Sequence, residues 1–172
     1  DLWVTPKGSD FLRGISERDG CCALNFFSIQ PALNYGYEQI TEPWQQRTDD
    51  PGPLSTVSEI KSIMDFWLSM GCDGFRVDMA GSLVKQDPEK TGITRLWRGI
   101  SGWMAERWPD AVLFSEWSDP KVSLNAGFHM DFILNAGEDN TDLCRDDEPF
   151  FSRRGLGKSD SFMRAYADML PW

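Results

Sequence analysis

Two carboxylates, Asp78 and Glu116, close short apolar segments of this chain, Gly74-Phe75-Arg76-Val77-Asp78 and Ala111-Val112-Leu113-Phe114-Ser115-Glu116. Segments of this kind form buried parallel strands. If the two are neighbours, both carboxyl groups lie at C-terminal strand ends, where parallel barrels gather their reacting groups. Carboxyl groups about 5 to 5.5 Å apart suit a double displacement with retention at a sugar carbon, one attacking while the other gives and then takes a proton. Arg76 stands two residues before Asp78 and shares its strand face. Its charge and hydrogen bonds favour the ionised form that a nucleophile needs. Glu116 has Phe114 and Trp117 nearby in sequence, an apolar setting that favours a protonated general acid. The same residues fit a plainer arrangement equally well on pattern alone: a local Arg76–Asp78 ion pair, with Glu116 capping a loop.

The elements that position these groups are legible in the hydrophobic periodicity. From Thr56, the residues Val57, Ile60, Ile63, Met64, Trp67 and Met70 recur at helical spacing, opened by the capping box Thr56-Val57-Ser58-Glu59 and stopped at Gly71. Gly74 to Met79 alternates as a strand, with Gly74, Arg76 and Asp78 on one face and Phe75 and Val77 on the other. A second helix is expected from about Thr94 to Trp108, with Leu96, Trp97, Ile100, Trp103 and Met104 on its apolar side and Pro109 just beyond. Ala111 to Glu116 is the next strand. A linker with Asn125 and Gly127 leads to a third strand, His129 to Asn135, then to an acidic loop from Glu138 to Glu148. A last helix, capped near Asp160, carries Phe162, Met163, Tyr166 and Met169 and meets Pro171. The first 55 residues are rich in Gly, Pro, Asn and Asp and predict a long irregular excursion. The rhythm of helix, strand, helix and strand is that of parallel β/α units. No G-x-G-x-x-G phosphate loop is present to favour a nucleotide-binding sheet.

Composition narrows the partners. With 172 residues, 41% of them hydrophobic and 13% aromatic, the chain can bury a core of its own. A formal net charge of -10 repels phosphate backbones and anionic lipid, so neither nucleic acid nor membrane is an expected partner. Nor does a run of about 18 apolar residues occur. Eight tryptophans offer indole platforms for sugar rings, although most are expected to pack in the core. Cys21, Cys22, Cys72, Cys144 and the single His129 match neither a metal site nor a dense disulfide framework, which slightly favours a reduced, cytosolic setting over secretion. The acidic loop fits no EF-hand spacing and reads as a solvated charge run. The start at Asp1, without initiator methionine or signal peptide, suggests a cut.

Gly71-Cys72-Asp73-Gly74-Phe75-Arg76-Val77-Asp78 resembles the fourth-strand motif of the α-amylase family of glycoside hydrolases, in which the arginine is a fixed partner and the aspartate the nucleophile. Leu113-Phe114-Ser115-Glu116-Trp117 is similar to that family's fifth-strand motif, which supplies the acid/base. Gln30-Pro31-Ala32-Leu33-Asn34 resembles the Q-P-D-L-N loop signature of its oligo-1,6-glucosidase and α-glucosidase branch, with Ala32 in place of the aspartate. The three occur in family order and together span roughly residues 25 to 135. Gly81-Ser82 stands where true α-amylases tend to carry a Lys-His pair, which argues against a starch-type endo-amylase. The family's third-strand and seventh-strand motifs are not found, and His129 lies in neither context.

The resemblance implies a partial (β/α)8 TIM barrel: 172 residues of one catalytic domain, with a loop-rich stretch over 1–55 and β/α units over 56–172. It implies a retaining hydrolase of α-glucosidic bonds in oligosaccharides, with Asp78 as nucleophile and Glu116 as acid/base. Arg76, Asn34 and Trp117 would support or bind substrate, and Asn34 is equally suited to an Asx-turn before Gly36. No organic cofactor or metal is expected from these residues, although calcium in a full-length enzyme is compatible with them. A transglycosylase or sugar isomerase would use the same residues, and a non-catalytic carbohydrate-binding or scaffold relative belongs to a different class. An incomplete barrel is expected to be inactive by itself and to self-associate through its open edges.

Overall fold

The computed structural model describes residues 11–13, 21–23 and 30–132, together with 153–154, 159–160, 163–164 and 167. The fold is mixed α/β, centred on a three-stranded parallel sheet with helices packed against it. Strand β3 (Gly74–Val77) pairs with β4 (Val112–Glu116), which pairs with β5 (Met130–Phe132), both in parallel. Helix α1 (Pro51–Ser69) precedes β3, α2 (Thr91–Arg107) connects β3 to β4, and α3 (Pro120–Asn125) connects β4 to β5. A separate antiparallel pair, β1 (Phe11–Arg13) and β2 (Cys21–Ala23), lies within the stretch whose composition predicted only irregular backbone. Residues 30–50 contain turns and isolated bridges, as that composition predicted.

The helix boundaries differ from the sequence expectation for identifiable reasons. α1 begins five residues before the anticipated capping box, because Pro51 at its first position supplies a helical φ and needs no N–H partner. Thr56 thus lies inside the helix, where its hydroxyl donates to the Gly52 carbonyl at 3.3 Å. α2 also starts early. Lys90 adopts a left-handed turn, and the buried Asp87 carboxylate accepts from the backbone N–H groups of Thr91 at 3.0 Å and Ile93 at 2.7 Å. The expected linker after β4 holds α3, capped by Asp119, whose side chain accepts from Val122 N, with Pro120 at the first position. β3 stops at Val77 because Met79 takes φ 50° and turns the chain into a single 3-10 turn, Ala80–Ser82. β5 begins at Met130; the remainder of the expected strand beyond Phe132, the acidic loop and most of the last helix lie outside the described residues. Met163 N does donate to Ser159 O, in keeping with helix after Ser159, but Met163 is exposed rather than on an apolar face.

Tertiary packing selects faces that periodicity approximates. Ile93, Trp97, Ile100 and Met104 of α2 are buried against Leu113, Ala126 and Phe128. On α1 the buried residues are Pro53, Met64 and Leu68, with Val57 and Ile60 packed beside the core. Ile63, Phe66, Trp67 and Met70 form a second apolar stripe that stays exposed. This corrects the expectation that Ile63, Trp67 and Met70 face the core, because α1 presents two apolar stripes and only one meets the sheet. His129 is a pin in the sheet: its Nδ1 accepts from Leu113 N at 3.1 Å, adding a rung to β4 on the side where β5 has not yet begun. Cys22 and Cys72 are free and exposed.

Leu113→Ala, which empties a fully buried position, should cost about 2 to 5 kcal/mol of stability in urea unfolding. Ile63→Ala on the exposed stripe should stay within about 0.5 kcal/mol. Equal losses would contradict this assignment of the core.

Candidate active site

The site forms where β3 and β4 end. Val77 is in register with Ser115, so the next residues, Asp78 and Glu116, come level at the C-terminal edge of the sheet. This close pairing depends on Gly74, where a side chain would run into the Val112 carbonyl and the φ of 153° is one that other residues rarely adopt. Strand alternation then sends Arg76, Phe114, Glu116 and Phe132 to one face. The other face carries Leu113 and Ser115 into the core.

On the first face Arg76 joins the two carboxylates. One terminal nitrogen of its guanidinium bonds Asp78 Oδ1 at 2.7 Å, and the other holds Glu116 Oε2 in a short ion pair. The guanidinium stacks over the Phe132 ring, 5.4 Å from its centroid, so all three strands contribute to holding it. The carboxyl groups of Asp78 and Glu116 are themselves hydrogen-bonded. Asp78 is the more open of the two, with 62% of its side chain exposed against 15% for Glu116.

Glu116 is pushed above the usual carboxylate range. The hydrogen bond that protonated Glu116 donates to Asp78 is the largest cause, loss of hydration and the Asp78 charge add to it, and the Arg76 guanidinium opposes it. The sequence pointed to apolar neighbours as the reason for a protonated Glu116; the neighbouring carboxyl matters more.

The turn after Asp78 is fixed by its backbone. Ala80 O accepts from the buried Trp97 indole at 2.9 Å, Gly81 O from Lys90 Nζ at 3.1 Å, and Met79 O from Ser82 Oγ at 3.0 Å. Trp117 follows Glu116 and packs its indole edge-on to Phe128, which in turn packs on Trp97. Gly81 makes this possible, since a Cβ there would overlap the Trp117 ring. Asn34 is not brought to the carboxylates. Its Oδ1 accepts from Gly36 N at 3.1 Å and its Nδ2 donates to Gln46 Oε1 at 2.6 Å, which is the Asx-turn alternative. Among the described residues no group of three or more His, Cys, Asp or Glu side chains is arranged to hold a metal ion, and no helix is long and apolar enough to cross a membrane.

Phe132 and Asp131 are site residues that the sequence reading passed over. A lone carboxylate between Met130 and Phe132 in an apolar strand was the available signal, because such a group must find hydrogen-bond donors. Comparison with models of known protein families gives no match, and no curated protein matches the chain. What the site can do therefore follows from its own residues: two neighbouring carboxyl groups, held by one cation at an exposed sheet edge.

Two substitutions should move Glu116 in opposite directions. Asp78→Ala removes the largest cause of its raised pKa and leaves Arg76, so Glu116 should titrate at lower pH than in the wild type. Arg76→Ala removes the opposing cation and should raise it further. Carbon-13 NMR of the glutamate side-chain carboxyls, with Glu116→Gln for assignment, reads both; shifts of the same sign would refute the arrangement.

Proposed function

We propose that this chain supplies the central β/α units of an eight-stranded barrel and carries the reacting carboxylates of a retaining glycoside hydrolase acting on α-glucosidic bonds of short oligosaccharides. The observation that carries this reading is the Arg76 fork joining Asp78 and Glu116 at neighbouring parallel strand ends. The three motifs in family order support it. An exposed apolar stripe on α1, and a β3 edge with no partner strand among the described residues, are what further β/α units would cover.

The chemistry follows from the two environments. Asp78, the more exposed carboxylate, attacks the anomeric carbon, and the bond to the leaving oxygen breaks as Glu116 protonates it. A sugar entering the site would meet both carboxyl groups, with Arg76 keeping a hydrogen bond to each. Glu116, having lost its proton, then takes one from a water that attacks the glycosyl ester and frees Asp78. Trp117 supports the turn that carries the acid by packing its indole against Phe128. The reaction needs no organic cofactor.

In the polypeptide that carries the whole barrel, Glu116→Ala should still form the glycosyl-enzyme from a substrate with a very good leaving group, and azide should speed its breakdown. Asp78→Ala should show no azide rescue of that kind. The 172-residue chain alone should release no nitrophenol from an α-glucoside, because a barrel of this type needs about 250 residues to close. Equal azide rescue of both variants would show the roles misassigned, and turnover by the chain alone that both variants abolish would show its site to be complete.

A further inference from the structure

The geometry points to Asp131 as a positioning residue for the acid/base, a role that rests on reading Glu116 as the proton donor. Asp131 lies on β5 opposite Ser115, on the sheet face away from the Arg76 fork. Its carboxylate reaches the exit of β4 and gathers three donors there. Oδ1 accepts from Ser115 Oγ at 2.6 Å and from Trp117 N at 3.0 Å, while Oδ2 accepts from Asp119 N at 2.8 Å. Ser115 and Trp117 are the residues on either side of Glu116 in the chain, so one carboxylate ties both flanks of the acid, the first through a side-chain hydroxyl and the second through a backbone N–H.

The network behind it is closed to water. Ser115 and Ser123 are fully buried, and their hydroxyls share a hydrogen bond at 2.6 Å. With Ser115 Oγ donating to Asp131, Ser123 donates to Ser115, and the chain of bonds orients every lone pair. Asp119, held through its own N–H, caps α3 through its side chain. The β4-to-α3 turn is therefore tied at both ends to one residue of the next strand. Without Asp131, two backbone N–H groups of that turn lose their acceptors, a loss that the turn can relieve only by moving. Glu116 would then leave its register with Arg76 and Asp78, and Trp117 would leave its place between Gly81 and Phe128. A carboxylate suits this position better than an amide, because all three partners donate and an asparagine presents one acceptor oxygen and one donor.

The test compares Asp131→Ala and Asp131→Asn in the complete protein by two readouts. The first is the fluorine-19 line of Trp117 in protein labelled with 5-fluorotryptophan, assigned by Trp117→Phe. It should move in Asp131→Ala and move less in Asp131→Asn. The second is the split between an alkyl α-glucoside, which needs the proton, and α-glucosyl fluoride, which leaves without it. Asp131→Ala should lower kcat for the alkyl glucoside at least about tenfold more than for the fluoride, with KM little changed, given that general acid catalysis contributes about 100-fold or more. A Trp117 line unmoved in both variants, or equal losses on both substrates, would overturn the proposal. If Asp131→Ala does not fold, Asp131→Asn carries both readouts with the same criteria. A wild-type protein with no glycosidase activity would defeat the function proposed above, and the fluorine line would still decide whether Asp131 sets the turn.

Discussion

The guanidinium of Arg76 is the contact on which the site depends. Two carboxylates brought level by adjacent strands repel each other unless one binds a proton or a cation intervenes. Here a cation intervenes. The arginine fork bonds each carboxylate with a separate nitrogen, and the neighbouring Asp78 carboxyl raises the pKa of Glu116. Much of the surrounding structure serves this meeting. Gly74 lets β3 approach β4, the parallel register brings Asp78 opposite Glu116, and Phe132 gives the guanidinium an aromatic face to rest on. A slip of one residue in either strand would turn one carboxylate to the helix-facing side and leave the other alone with the arginine.

Behind the carboxylates, the structure holds the two turns that carry them rather than the side chains alone. The turn after Asp78 is stapled by the indole of Trp97 and the amine of Lys90, and the turn after Glu116 by Asp131. Phe128 lies between Trp97 and Trp117 and links the two. The aromatic residues prominent in the composition are thus used in two ways: Trp97 as buried core with its N–H committed to a carbonyl, Trp117 as a half-buried wall beside Glu116.

How much of this the sequence disclosed follows a physical division. Alternation placed Arg76 and Asp78 on one face and Glu116 at a strand end, because side-chain direction in a strand depends only on position. The buried face of α2 was legible in the same way. The start of α1 was misread because Thr56 and Glu59 mimic a capping box inside a helix that Pro51 had already begun. The brief α3 was hidden in a segment too short for periodicity, although Asp119-Pro120 is a cap followed by a helix-starting proline. Asn34 fits a motif in sequence yet spends both ends of its amide on its own loop. Asp131 was least legible, since its partners are backbone N–H groups and a buried hydroxyl, which no side-chain spacing reveals. The parallel three-stranded sheet was expected; its continuation into a closed barrel belongs to the proposal.

The division of labour between the two carboxylates is the centre of this account, and covalent trapping tests it most directly. A glucosyl fluoride carrying a second fluorine on the sugar ring, which slows breakdown of the ester more than its formation, should add one fluoroglucosyl mass to the complete protein. Digestion and peptide sequencing by mass spectrometry should locate that mass on Asp78. Label on Glu116 instead, or a protein that turns over α-glucosides yet never carries the label on Asp78, would contradict the account.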